Sequence, residues 1–115
     1  MIDCIIVGDS IGLGLTEHRR ECVSLVRSGI DSKNWNISYI NRPLFDMMEY
    51  NTATISLGSN DTVYVDTEEN LLEIRKTVNA KTVFWIMPAI NEYAQKVILK
   101  IARNHGDRIV YIKDI

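Results

Sequence analysis

Two short loops of small and polar residues follow two apolar segments of this sequence. Gly8-Asp9-Ser10-Ile11-Gly12 follows residues 4–7, and Gly58-Ser59-Asn60-Asp61 follows residues 54–57. Both apolar segments are typical of buried strands, and open α/β sheets bind ligands in the crevice beyond the carboxyl ends of their strands. The hydroxyl of Ser10 and the carboxamide of Asn60 are therefore expected to converge on one crevice.

Ser10 is predicted where the first strand turns into a helix. Free N–H groups at a helix start favour negative charge nearby. Gly8-x-Ser10-x-Gly12 also matches the sequence pattern of a nucleophile elbow. A serine at such a turn is also explained as a helix cap. Asn60 strengthens the chemical interpretation, because a side-chain amide aimed at an oxyanion is typically worth ~3 kcal/mol in acyl transfer.

These residues resemble the motifs of the SGNH, or GDSL-type, hydrolases. Gly8-Asp9-Ser10 resembles the first block, with Ser10 in the nucleophile's place, and Gly58-x-Asn60-Asp61 resembles the third. Gly29, after the first predicted helix, resembles the glycine of the second block. The resemblance covers residues 2–113 in element order, and it implies an oxyanion hole formed by the N–H of Gly29 and the amide of Asn60. It also implies an esterase, lipase, thioesterase or carbohydrate deacetylase that needs no metal or cofactor.

The family's fifth block, an Asp-x-x-His that supplies the general base, is not found in this sequence. A serine hydroxyl without a base is a weak nucleophile at neutral pH. His18 is predicted about two helical turns, or roughly 12 Å, from Ser10. His105 is predicted at the opposite edge of the sheet. Neither is expected to act as the base within its own subunit, whereas a contribution of His18 from a partner subunit is left open.

Three functions remain. The first is a binding module that sequesters or senses a small anionic, nucleotide-like or ester ligand, with hydrolysis absent or weak. The alternative is an active serine esterase or acyl hydrolase that uses Ser10 with a base from an unexpected residue or a partner subunit. The third is a structural or interaction protein. The residues expected to contact a ligand are Asp9, Ser10, Ile11, Gly29, Ser59, Asn60 and Asp61.

Apolar periodicity predicts a single α/β domain over residues 1–115, with three layers around a five-stranded parallel sheet of the flavodoxin-like or SGNH-hydrolase-like kind. Strands are predicted at 2–7, 37–40, 52–57, 81–87 and 108–112, and helices at 13–27, 44–50, 67–79 and 90–104. Thr67 is the predicted cap of the third helix. Such domains usually end with one more helix, and none is predicted here. One face of the sheet would then be under-covered, which predicts a homodimer.

Composition and charge argue against a nucleic-acid-binding protein and a membrane protein. Of the residues, 46% are hydrophobic and 24% are charged, which is ordinary for a globular protein. A net charge of −2 gives no basic excess for nucleic acid. No segment approaches the ~18 apolar residues of a membrane span, and no signal peptide is recognised. We therefore expect a cytoplasmic location, bacterial or in an infected host.

The remaining polar and aromatic residues allow two interpretations each. Cys4 and Cys22 match no metal or disulfide framework and are predicted to be reduced thiols. The acidic residues of segment 61–69 are predicted to favour a helix start, not a metal site. Other side chains near predicted loops either stack on a flat ligand or anchor the core. They are Trp35, Tyr39, Arg42, Tyr64 and Tyr93.

Overall fold

Consecutive apolar residues form the central strands of a parallel sheet in the computed structural model, which describes residues 1–112. The strand order is β2-β1-β3-β4-β5, and all neighbours are parallel. The predicted α/β fold with five parallel strands is therefore confirmed, in the flavodoxin-like order. The end of the chain, where the sequence predicted no further helix, lies outside the described residues. The strands are β1 (Ile2–Gly8), β2 (Val23–Val26), β3 (Glu49–Ser56), β4 (Asn79–Met87) and β5 (Arg108–Tyr111).

Helices on both faces of the sheet complete the three layers. The helices are α1 (Ser10–His18), α2 (Ser32–Tyr39), α3 (Pro43–Asp46), α4 (Thr67–Thr77) and α5 (Glu92–His105). Helix α4 contacts both α2 and α5, and the three bury the main core, in which Trp35, Ile55 and Trp85 are fully enclosed. On the opposite face, α1 approaches the sheet closely at Gly12, next to Ile6.

The face of the sheet behind α1 carries less cover than the main core face. Within residues 1–112, α1 is the helix that packs on it, against β1, β2 and β3. Leu13, Tyr111 and Ile112 are exposed large hydrophobic residues of α1 and of the end of β5. Self-association through this face, most simply as a two-fold dimer, stays a prediction.

The second strand lies elsewhere than predicted. Residues 13–27 were expected to form one helix, but α1 ends at His18 and β2 begins at Val23. Strand β2 pairs with β1 from Ile5 to Gly8, and Leu25 is buried in the main core. The short apolar run of β2 fits a helical period and a strand equally well, so only pairing with β1 decided its structure.

Residues 37–40, predicted to be a strand, belong to the last turn of α2 and its cap. The side chain of Asp31 caps this helix by accepting the N–H of Asn34 at 2.7 Å. Trp35 then lies beneath the sheet and donates its Nε1–H to the carbonyl oxygen of Leu25 at 2.9 Å. Burial of this large ring therefore outweighs the strand propensity of the segment that follows.

Smaller corrections concern helix ends. Asp66, not Thr67, caps α4, and its carboxylate accepts the N–H of Glu69 at 3.0 Å. Helix α3 begins at Pro43, one residue before the predicted start, and ends at Asp46, because β3 starts at Glu49. Helix α5 begins at Glu92, two residues after the predicted start, and ends at His105, where Gly106 caps it with a φ of +70°. Its apolar side is buried from Ala94 onward, whereas Ile90 and Tyr93 are exposed.

Cys4 and Cys22 form a disulfide bond, so the prediction of reduced thiols is wrong. Ile5 is the register partner of Val23, and the preceding residues are therefore brought together, with their Cα atoms 4.7 Å apart. Placing Cys22 on a helix concealed this proximity. Disulfides persist mainly in oxidising compartments, so the two cysteines give no support to a cytoplasmic location. No helix within the described residues combines the length and hydropathy of a membrane crossing.

Removing the disulfide is expected to destabilise the fold. The bond closes a loop with a sequence separation of 18 residues, which corresponds to about 3 kcal/mol of unfolding free energy. The double variant Cys4→Ser/Cys22→Ser should lose this amount in urea unfolding. Reductant should lower the wild-type midpoint toward that of the variant and leave the variant itself unchanged. A wild-type midpoint that is insensitive to reductant would contradict this contribution.

Candidate functional site

The loops that carry the candidate residues leave three neighbouring strands at the same edge of the sheet. Ser10 lies two residues beyond β1, Gly29 three beyond β2 and Asn60 four beyond β3. Because β1 lies between β2 and β3, these loops meet at the carboxyl edge, where α/β sheets bind ligands. All three residues are exposed.

The turn between β1 and α1 requires glycine at position 8. Gly8 has a φ of +137°, and a Cβ atom there would overlap the carbonyl oxygen of Ser56. The same oxygen accepts the N–H of Asp9 at 2.9 Å, and the carbonyl oxygen of Gly8 accepts the N–H of Arg27 at 2.9 Å. The loop that presents Ser10 is thereby fixed to both neighbouring strands.

Asp9 is the cap of α1 and is only 1% exposed. Its Oδ1 accepts the N–H of Ile11 at 3.1 Å and the hydroxyl of Ser56 at 2.8 Å. No hydrogen-bonding group within residues 1–112 reaches its Oδ2. Burial outweighs these hydrogen bonds and raises the pKa of Asp9 above its usual 3.8. Asp9 therefore positions the turn, while its predicted contact with a ligand stays a prediction.

Ser10 is the first residue of α1, not its cap. The capping hydrogen bond comes from Asp9, so a helix-cap role does not explain the serine. Its side chain is exposed at the start of a nine-residue helix. Backbone N–H groups at such a start, together with the helix dipole, favour negative charge nearby. The hydroxyl can therefore contact an anion or an ester carbonyl.

Asn60 and Gly29 are linked through the backbone of the β2 loop. The Nδ2 of Asn60 donates to the carbonyl oxygen of Ile30 at 3.1 Å. Gly29 has a φ of +77° within a turn closed by the N–H of Ile30 and the carbonyl oxygen of Arg27. An amide group carries two hydrogens, so the bond to Ile30 leaves Asn60 able to donate to a ligand as well.

The carboxylate of Asp61 connects the loop after β3 to the first residues of two helices by hydrogen bonds. It accepts the backbone N–H of Ser32 at 2.8 Å, the hydroxyl of Ser32 at 2.6 Å and the hydroxyl of Thr67 at 2.8 Å. Ser32 and Thr67 are the first residues of α2 and α4 and are buried. Asp61 thus has a positioning role, and its predicted ligand contact stays a prediction, as do those of Ile11 and Ser59.

Asn91 connects the loop after β4 to the loop after β3 by hydrogen bonds. Its Nδ2 donates to the carbonyl oxygens of Gly58 at 2.9 Å and Asp61 at 3.1 Å, while its Oδ1 caps α5. Neither Asn91 nor Ser32 was predicted to take part in the site. Each is a polar residue at a helix start, a pattern that predicts local capping and carries no signal for a bond to a distant loop.

Neither histidine lies at the carboxyl edge. His18 is the exposed last residue of α1, about two turns from Ser10. His105 ends α5, before β5 starts at the amino edge, and its Nδ1 lies 2.9 Å from the carbonyl oxygen of Ile101. Within residues 1–112, therefore, no imidazole is placed beside Ser10 to act as its base.

One group of potential metal ligands occurs among the described residues. It comprises Cys4, Glu21 and Cys22, whose ligand atoms lie within 4.8 Å of one another. The disulfide removes both thiolates that a metal would require. This group lies away from the carboxyl edge, so it takes no part in the candidate site.

The aromatic residues divide into a core group and an exposed pair. Trp35 is fully buried and packs against Tyr39 and Phe45, while the guanidinium of Arg42 lies 4.5 Å from the ring centre of Tyr39. Tyr64, on the loop after β3, and Tyr93, in the first turn of α5, are instead exposed. Only this pair, of the aromatic residues considered, retains the geometry for stacking on a ligand.

Comparison with known proteins gives no family assignment. No protein-family model matches the chain, and no curated protein matches its sequence. The likeness to SGNH hydrolases therefore rests on Ser10, Gly29 and Asn60 and on the loops that carry them.

Two glycines of the same segment offer a matched test of the turn. Gly8→Ala introduces a clash with Ser56 and a strained positive φ, so we expect a loss of about 3 kcal/mol or more of unfolding free energy. Gly14 lies within α1 with open space around it. Gly14→Ala should stabilise the protein by about 0.5–1 kcal/mol. Urea unfolding measures both, and equal effects of the two substitutions would refute the constraint at position 8.

The buried carboxyl of Asp9 should make stability depend on pH. Because its pKa is raised in the folded state, stability is lost as pH rises from the usual 3.8 through the native pKa. Asp9→Asn keeps a capping oxygen but does not ionise. The variant should therefore gain unfolding free energy relative to the wild type as pH rises from about 4 to about 7. Urea unfolding across this range measures the gain.

Ser56→Ala provides the opposing control for Asp9. It removes a hydrogen bond that lowers the pKa of Asp9, so stability should fall more steeply with pH than in the wild type. Parallel pH profiles for the wild type and Asp9→Asn would show that ionisation of Asp9 does not affect folding.

Proposed function

We propose that this protein binds a small anionic or ester ligand at the carboxyl edge of its sheet, with hydrolysis absent or weak. The main support is the arrangement around Ser10. Asp9 takes the capping role, which leaves the serine exposed at a helix start, and Asn60 is held on the adjacent loop by Ile30. Together with the N–H of Gly29, these groups are the donors proposed to hold the ligand oxygen.

Preorganisation is the physical reason for such binding. Donors that are already fixed lose little entropy when an anion arrives, and they stabilise charge more strongly than mobile donors do. Asp61 holds the β3 loop to Ser32 and Thr67, and Asn91 holds it from the other side. The donors therefore lie on loops whose positions do not depend on the ligand.

Weak hydrolysis follows from the position of the imidazoles. Removing the base from a serine triad typically costs several orders of magnitude in rate, while binding persists. His18 lies two turns along α1, and His105 lies at the amino edge. The alternative function, a serine esterase or acyl hydrolase, is favoured by the exposure of Ser10 and takes its base from a partner subunit or an unexpected residue.

The proposed location is the cytoplasm, as the sequence led us to expect. The disulfide between Cys4 and Cys22 does not support this location, since such bonds persist mainly in oxidising compartments. The proposed ligand is a small molecule, in line with a net charge of −2 that gives no basic surface for nucleic acid.

Methylphosphonate, a small anion that cannot be hydrolysed, tests the proposed site. NMR titration should shift the backbone amides around Gly29 and Asn60. Ser10→Ala and Asn60→Ala should each weaken binding by about tenfold, since a hydrogen bond to a charged group contributes roughly 1.5–3 kcal/mol. Asn104→Ala removes an exposed carboxamide at the opposite edge and should leave the affinity unchanged. Absence of binding at millimolar concentration would overturn the proposal.

Turnover of p-nitrophenyl acetate separates the two candidate functions. We expect negligible hydrolysis that Ser10→Ala does not change. A burst of p-nitrophenol that requires Ser10 would support the serine hydrolase instead.

A further inference from the structure

A groove lies between the loop after β3 and the first turn of α5. Its volume is about 600 Å³, within the roughly 300–1,000 Å³ of small-molecule sites. The groove is lined by Thr62, Val63, Tyr64, Val65, Asp66 and Tyr93.

Its apolar side chains are unusually exposed. Val63 is 93% exposed, Tyr64 is 91% exposed and Tyr93 is 59% exposed. Single exposed apolar residues are ordinary, but a group that lines one groove usually marks a binding site. A turn holds Val63 and Tyr64 at its corner, where the N–H of Val65 donates to the carbonyl oxygen of Thr62 at 3.0 Å. The groove wall therefore has a defined backbone.

The groove and the candidate site share the loop after β3. Tyr64 follows Asn60 by four residues, so their Cα atoms lie within about 14 Å. Tyr93 follows Asn91 by two residues, and Asn91 is hydrogen-bonded to the carbonyl oxygen of Asp61. Both tyrosines therefore lie on segments attached to the loop that carries Asn60.

The charge of the groove limits what can occupy it. Asp66 is the one ionisable acid among the lining residues, and its carboxylate is directed to the N–H of Glu69 as the cap of α4. A second anionic group of the ligand would be repelled by the carboxylate of Asp66, and the lining residues include no cation that would offset this repulsion. The tyrosine rings instead favour a flat uncharged group, since aromatic rings attract one another in stacked or edge-to-face arrangements.

We propose that the ligand carries an aromatic ring, which binds in this groove between Tyr64 and Tyr93 while its anionic or ester group binds at Ser10 and Asn60. This inference rests on the proposed function and specifies the ligand class. It favours a ligand with one charged end and one aromatic end over a ligand with several phosphates.

Phenylphosphonate and methylphosphonate form the matched probe pair, because they differ only in the group attached to phosphorus. Wild-type protein should bind phenylphosphonate about tenfold more tightly, the effect expected for one to two aromatic contacts. Tyr64→Ala/Tyr93→Ala should abolish this preference and leave the affinity for methylphosphonate unchanged. Tyr64→Phe/Tyr93→Phe retains the rings and should retain the preference. Circular dichroism of each variant should match that of the wild type, because the substituted side chains are exposed.

The outcomes distinguish this inference from the function on which it rests. Equal affinity of the wild type for the two phosphonates would overturn the aromatic ligand and leave the anion site standing. A preference that survives in the double alanine variant would place the aromatic group outside this groove and overturn the inference as well. Failure of both phosphonates to bind would overturn the anion site, and the inference with it.

Discussion

The carboxylate of Asp61 is the interaction on which the candidate site depends. It accepts three hydrogen bonds from Ser32 and Thr67, and so connects the β3 loop to the starts of α2 and α4. Loops at a sheet edge are otherwise the mobile part of an α/β fold. With Asp61 in place, the neighbouring Asn60 is held against Ile30, and the loop after β4 is attached through Asn91. Rigidity of the edge thus comes from side chains that are hydrogen-bonded to neighbouring loops and helix starts.

Two acidic residues therefore support a proposed anion site without opposing it. Asp9 and Asp61 both turn their carboxyl groups toward protein donors, while Ser10, Gly29 and Asn60 are exposed. Burial also raises the pKa of Asp9 above its usual range. The hydrogen bonds of both carboxyl groups to the protein leave the donors of the edge free to act.

Prediction from the sequence succeeded where burial alone selects the structure. The continuous apolar runs of β1 and β4 identified strands covered on both faces, and apolar periodicity from Ala94 onward identified α5. It failed between residues 13 and 40, where the segment of β2 was predicted to be helical and the last turn of α2 was predicted to be a strand. In that region the deciding contacts are long-range, namely the pairing of β2 with β1 and the burial of Trp35 under Leu25. The disulfide was missed for the same reason.

The sequence by itself determined the layered α/β architecture and the placement of Ser10 and Asn60 just beyond two buried strands. Both follow from local patterns, since apolar periodicity and turn residues act over a few neighbours. Only the tertiary structure decided that Asp9 caps α1 in place of Ser10, that Cys4 meets Cys22, and that Asn91 reaches the β3 loop. The disulfide and the bonds of Asn91 join residues on different elements, and Asp9 is held in its capping position by the hydroxyl of Ser56 in β3. All three therefore depend on the strand order and register that the whole chain establishes in folding.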